Sequence, residues 1–139
     1  VAGMLQHEVA QRLCASPGGR DYGILSVLLQ CWYDCDYLFK VSKRDFNPPP
    51  KVDGGVMIAR RNSRTELPCD EANFKRVVKA AFGQRRKMLR NALMSLFGKE
   101  FPYADHEIFT LRAERLSVED FIGLTLMYEA LPTDNLTTP

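Results

Sequence analysis

Three consecutive prolines, Pro48 to Pro50, stand inside the stretch "FNPPPKVDGG" that runs from Phe46 to Gly55. Each proline fixes φ at about −65° and removes a backbone donor, so the run can enter neither a helix interior nor a central strand. It must be a stiff, extended connection that positions whatever precedes it. The residues on either side read as strands. "CDYLFKVS" alternates Tyr37, Phe39 and Val41 against Leu38 and Lys40, and "VDGGVMIAR" places Val52, Val56 and Ile58 on one face. Two strands joined without a helix form a hairpin, hence an antiparallel pair.

Upstream, "VAGMLQ" reads as a buried strand and "HEVAQRLCA" as a short helix ended by Pro17, Gly18 and Gly19. Asp21 is the expected cap of a second helix through Leu25, Leu28, Leu29 and Trp32. The order strand, helix, helix, strand, proline turn, strand is the end of an α/β sheet. It occupies residues 1–62, and the polar "RNSRTELP" places a linker at 63–69. Residues 70–139 read as helical. Asp70 caps a helix with Phe74, Val77, Val78, Ala81 and Phe82 on one stripe, which Gly83 ends. A further helix uses Leu89, Leu93, Leu96 and Phe97, with "GQRRK" at the junction, and Ser117 opens a last helix that covers the first two.

The chain is 45% hydrophobic, enough to bury the core of one medium domain or two small ones. No apolar run approaches the ~20 residues that span a bilayer, and the start lacks a secretory signal, so a cytoplasmic protein is expected. Val1 opens directly into a strand without an initiator methionine, which leads us to expect a fragment of a longer protein. Cys14 and Cys31 sit among apolar helix residues, and neither the four cysteines nor His7 and His106 show a metal-ligand spacing. Neither a disulfide framework nor a metal site is expected. The net charge of +2 conceals an asymmetry. Residues 72–99 carry Lys75, Arg76, Lys79, Arg85, Arg86, Lys87, Arg90 and Lys99 with no acid, which leaves eleven basic against seventeen acidic groups elsewhere. Such a block suits a polyanionic partner, with nucleic acid favoured; a plain solvated face and an anionic membrane surface are the other readings.

The motifs carry a resemblance. "MLQHEVAQRL", "YGILSVLLQ", "FNPPPKVDGGV", "FGQRRKMLRNAL" and "LRAERLSVEDF" occur in the order and at the spacing of the small-subunit rRNA adenine dimethyltransferases, the KsgA (RsmA) family. The chain resembles that family over nearly its whole length. The resemblance implies the rear part of a Rossmann-like methyltransferase sheet followed by an rRNA-binding helical domain. It also implies transfer of methyl groups from S-adenosylmethionine to two adjacent adenosines near the 3′ end of small-subunit rRNA, on the immature subunit. The family's glycine-rich cofactor loop, its ribose-binding acid and its Asn-Leu-Pro-Tyr type motif are expected upstream of Val1. This fragment alone is therefore expected to hold no cofactor, to be inactive, and to self-associate through the exposed edge of its first strand.

Carried over residue by residue, the resemblance makes Phe46 a stacking platform for the target adenine, with Asn47, Pro48, Pro49 and Pro50 as rigid support. The plainer reading makes Phe46 a core aromatic. Arg85, Arg86, Lys87 and Arg90 match the family's basic run, and Lys75, Arg76 and Lys79 extend it as candidate RNA contacts. Gln6 and Glu8 match a stretch near the catalytic cleft, with His7 where a lysine is common. Gly54 and Gly55 depart from the usual Ser-Ala, which is expected to loosen the strand. The alternative function is a non-catalytic rRNA-binding assembly module.

Overall fold

The computed structural model describes residues 2–98, 101 and 105–131. Lys99, counted in the basic block, lies outside the described residues. The chain divides into two compact units, residues 1–65 and 66–139.

In the first unit a three-stranded sheet carries two helices. Strand β1 (Ala2–Gln6) runs directly into helix α1 (His7–Cys14), followed by α2 (Ile24–Gln30), β2 (Tyr33–Val41) and β3 (Gly54–Arg61). The strand order is β1-β3-β2, and β3 is antiparallel to both neighbours. The last strand in sequence is thus the middle one in space. A bulge interrupts the β2–β3 ladder, where Tyr37 faces Met57 and Phe39 faces Val56, leaving Leu38 as an extra residue. The bulge overturns the simple alternation read from the sequence. Phe39 is 55% exposed, whereas Tyr37 and Val41 are half-buried.

The buried positions of β3 also differ from expectation. Gly55 and Met57 are buried where α1 packs on the strand, while Val56 and Ile58 are half-buried and Val52 lies outside the strand. Gly55 is the reason α1 can approach so closely. A Cβ there would lie 2.9 Å from Tyr37 Cε2, 3.1 Å from Ala10 Cβ and 3.2 Å from His7 Cα. The Tyr37 ring cannot simply yield, because its hydroxyl is 2.6 Å from His7 Nδ1. At Gly55 the space a Cβ would take is thus already filled by its neighbours. Gly55→Ala is expected to cost about 1 kcal/mol through overpacking. A melting temperature equal to or above that of the parent would show that Tyr37 moves aside freely.

Carbonyls at the ends of α1 and α2 are satisfied by side chains from later in the chain. Gln30 Nε2 donates to Leu13 O and Ala15 O, both at 2.8 Å, closing α1. Asn62 Nδ2 donates to Cys31 O at 3.1 Å and Arg64 Nε to the same oxygen at 3.0 Å, closing α2. Arg64, in the stretch read as a linker, is thereby held to the first unit. Asp21 does not cap α2. The residue that caps the helix start is Gly23, whose N–H donates to Ser26 Oγ at 3.1 Å, while the Ser26 hydroxyl donates to Arg12 O. Trp32 lies beyond the last helical residue, Gln30. Cys14 and Cys35 are half-buried, and burial pushes both thiols up, that of Cys35 to about 11. Both stay protonated at neutral pH and act as apolar groups, with Cys14 Sγ 4.0 Å from Met57 Sδ.

The second unit is helical: α3 (Glu71–Gly83), α4 (Leu89–Ala92), α5 (Met94–Phe97) and α6 (Val118–Glu129). Asp70 caps α3 by accepting from Asn73 N at 3.1 Å, and Phe74, Val77, Val78 and Ala81 are buried. Ser117 and Asp120 form a reciprocal capping box for α6, at 3.1 and 3.0 Å. The start of α3 is tied to the end of α6 through Glu129 Oε2, which accepts from Asp70 N and Asn73 Nδ2. The single helix read over Leu89 to Phe97 is instead two short ones, broken at Leu93 with φ −96° and ψ 5°. The four-residue spacing survives the break. Leu89, Leu93 and Phe97 are all buried, and Phe97 packs edge-on against Phe109 with centroids 5.6 Å apart.

Candidate functional site

The first candidate site is the connection between β2 and β3. Ser42 opens a short 3-10 turn, Lys43 to Asp45, by accepting from Arg44 N at 3.2 Å. Phe46 follows with extended backbone and is half-buried, while Asn47 and the three prolines are exposed. The chain bends from Phe46 to Pro48, and the Asn47–Pro48 peptide is cis, so the run is not the uniform extended segment expected from three prolines. Phe46, Pro48, Pro50, Val52, Met4 and Leu5 line a groove of about 750 Å³. An adjoining cleft of about 270 Å³ is lined by Gln6, His7, Glu8, Lys43, Lys51 and Asp53. The proline loop and the start of α1 are therefore brought together, with Gln6, Lys51, Val52 and Asp53 common to both hollows.

Asp53 sits at the centre of this arrangement, and sequence reading missed it. Its Oδ1 accepts from Lys43 N at 2.8 Å, and its Oδ2 lies 3.3 Å from Lys40 Nζ. Its carbonyl accepts from His7 N at 2.9 Å. The Lys43 N–H and then the Lys40 ammonium favour the carboxylate and hold its pKa below the ordinary 3.8. A lowered folded-state value means that these contacts are intact above the ordinary carboxylate range. They are lost as pH falls through the lowered value.

The second candidate site is the turn after α3. Lys87 N donates to Gln84 O at 2.9 Å, and Leu89 N donates to Leu111 O at 2.8 Å, which anchors the exit of the turn. The Arg85 guanidinium lies 5.6 Å from the Phe82 ring centroid, and that ring in turn packs against the fully buried Phe121. Arg85 is thus half-buried on an aromatic shelf, while Arg86, Lys87 and Arg90 are exposed. Phe82, Gln84, Arg85, Arg86 and Lys87 line a hollow of about 480 Å³. Lys75, Arg76 and Lys79 are exposed along α3. Two of them are partly engaged on their own helix: Lys75 lies 3.9 Å from Glu71, and Arg76 donates to Asn73 Oδ1 at 2.7 Å.

Residues 2–129 match the family described as "Ribosomal RNA adenine dimethylase". The chain belongs to that family. Among its relatives, a "Ribosomal RNA small subunit methyltransferase A" of Parabacteroides distasonis is 57% identical over 126 residues, covering 91% of this chain and 47% of that protein. One of the same name from Porphyromonas gingivalis is 56% identical over 128 residues, covering 92% and 50%. The chain spans about half the length of these relatives. A crystal structure of a dimethyladenosine transferase from Plasmodium falciparum superimposes with a TM-score of 0.75 at 20% identity, over 92% of this chain and 56% of that one. That likeness is one of fold: a Rossmann-like α/β sheet, of which this chain carries the last strands, followed by a helical region.

Membership of the dimethylase family implies a methyl-donating cofactor, and the described residues do not fit one. A phosphate- or ribose-holding loop belongs between a strand and a helix, yet β1 passes into α1 with no intervening residue. Gly54 and Gly55 lie inside β3, where Gly55 is packed against His7 and Tyr37. Among the described residues, no helix is long and apolar enough to cross a membrane.

Proposed function

We propose that the protein carrying this chain is an S-adenosylmethionine-dependent rRNA adenine dimethyltransferase of the cytoplasm, acting on two adjacent adenosines near the 3′ end of small-subunit rRNA in the immature subunit. The observation that carries this reading is identity above 55% across both units to proteins named as small-subunit rRNA methyltransferases. The cofactor is held by the part of the protein outside this chain. Within the chain, Phe46 offers a half-buried ring beside an open groove, suited to stacking on a base displaced from its neighbours. Asn47 and Pro48 to Pro50 support it. Arg85, Arg86, Lys87 and Arg90, with Lys75, Arg76 and Lys79, supply positive charge for phosphates, which orient the enzyme without reading sequence.

The test is methylation of small subunits that lack the modification, by the full-length protein with isotopically labelled S-adenosylmethionine. Mass spectrometry of the rRNA is expected to find two adjacent dimethyladenosines. A folded, cofactor-binding protein that transfers nothing would end the enzymatic reading. Tight subunit binding without transfer would favour the assembly-module alternative, to which the basic turn alone would suffice.

The isolated chain is also proposed to self-associate. Among the described residues β1 pairs only with β3, and Met4 and Leu5 are 53% and 41% exposed. Light scattering showing a monomer at high concentration would remove this proposal.

A further inference from the structure

A loop that must hold an aromatic ring in place needs anchors, and prolines cannot supply them. Pro48, Pro49 and Pro50 have no N–H, and all three are exposed together with Asn47. The hold must come from the flanks. On the entry side, the 3-10 turn that delivers Phe46 begins at Lys43, whose N–H has no helical partner because it is the first residue of the turn. On the exit side, Asp53 immediately precedes β3. Its carboxylate reaches back across the loop to that N–H at 2.8 Å and to Lys40 of β2 at 3.3 Å. Its own carbonyl accepts the first N–H of α1, that of His7, at 2.9 Å. One residue therefore joins the start of the loop, the end of β2 and the junction of β1 with α1, where Gln6 and Glu8 line the adjoining cleft.

We infer that Asp53 is the positioning residue of the Phe46 loop, a clasp that fixes the Phe46 ring relative to the β1–α1 junction. The inference rests on the reading of Phe46 as the stacking platform only for its consequence in turnover; the clasp itself is a statement about where the ring sits. Lys40 and Lys43 contribute unequally. Lys40 supplies charge, whereas Lys43 supplies a backbone donor that any residue except proline would also supply.

That difference gives the experiment. Full-length protein is labelled with fluorophenylalanine, and the Phe46 signal is assigned by its disappearance in Phe46→Leu. Asp53→Ala is expected to shift or broaden the Phe46 fluorine resonance and to lower single-turnover methylation about tenfold with KM for the subunit unchanged, as expected when reacting groups are held slightly out of place. Asp53→Asn, which keeps an acceptor oxygen for the Lys43 N–H, is expected to restore most of both readouts. Lys43→Pro removes the donor at a first-turn position that tolerates proline, and so is expected to reproduce Asp53→Ala. Lys43→Ala, which keeps the N–H, is not. An unmoved Phe46 resonance in both Asp53→Ala and Lys43→Pro overturns the inference whatever the activity does. If Asp53→Ala fails to fold, the Lys43 pair decides in its place. A moved resonance with unchanged turnover upholds the clasp and instead removes Phe46 from the chemistry.

Discussion

Replacing Arg85, Arg86 and Lys87 together by alanine in the full-length protein lowers its affinity for the small subunit about a hundredfold near 0.1 M salt, if each contacts a phosphate. Each lost contact reduces the magnitude of the log K against log salt slope by roughly 0.7 to 0.9, so the triple variant loses about two to three units of slope. Binding falls for many RNA sequences alike, because phosphate contacts carry no base information. The three side chains are not equivalent in the fold. Arg86 and Lys87 are exposed, and their removal leaves the melting temperature nearly unchanged. Arg85 covers the Phe82 ring, and its loss costs about 0.5–1 kcal/mol of stability. The Arg86 and Lys87 double variant therefore isolates docking from packing. Unchanged affinity and slope in that double variant would reduce the turn to a solvated surface.

Phe46→Ala is expected to lower turnover by the roughly 1–3 kcal/mol that base–aromatic stacking supplies, which is about 5- to 150-fold. The competing reading, a core aromatic, predicts a loss of about 3–5 kcal/mol of folding stability instead. Phe46 is half-buried on a connection and lines an open groove, unlike Phe74, Phe109 and Phe121, which are buried in the helical unit. Melting and single-turnover methylation on the same variant separate the two. A large fall in melting temperature with little loss of rate at low temperature would return Phe46 to the core.

What could be read from the sequence was local. The cap at Asp70, the stripe from Phe74 to Ala81 and the helix start at Ser117 all depend on residues within one or two turns, and each lies where its pattern places it. The basic turn was visible because its charges are consecutive. Several of the features that escaped are set across the sheet. Leu38 carries no mark of a bulge, since the register is fixed by β3 some twenty residues later. The buried positions of β3 follow from the closeness of α1 at Gly55, not from the hydrophobicity of Val56 and Ile58. Asp53 reads as an ordinary polar residue after a turn; only folding brings Lys43 and His7 to its two kinds of oxygen. The Ser26 cap was hidden by a more conventional candidate, Asp21, three residues before α2.

The position of β3 governs how the first unit can be assembled or taken apart. Among the described residues, β1 and β2 share no ladder with one another, and each is paired only to β3. A chain that ends before residue 54 has therefore lost not one strand of three but every strand pairing in the unit. Within these residues, β1 and β2 gain a ladder only when the last strand inserts between them. Those pairings join segments far apart in sequence, and such non-local closure is slow relative to helix formation. The helical unit has a late arrival of its own, since Glu129 at the end of α6 accepts from Asp70 N and Asn73 Nδ2 at the start of α3.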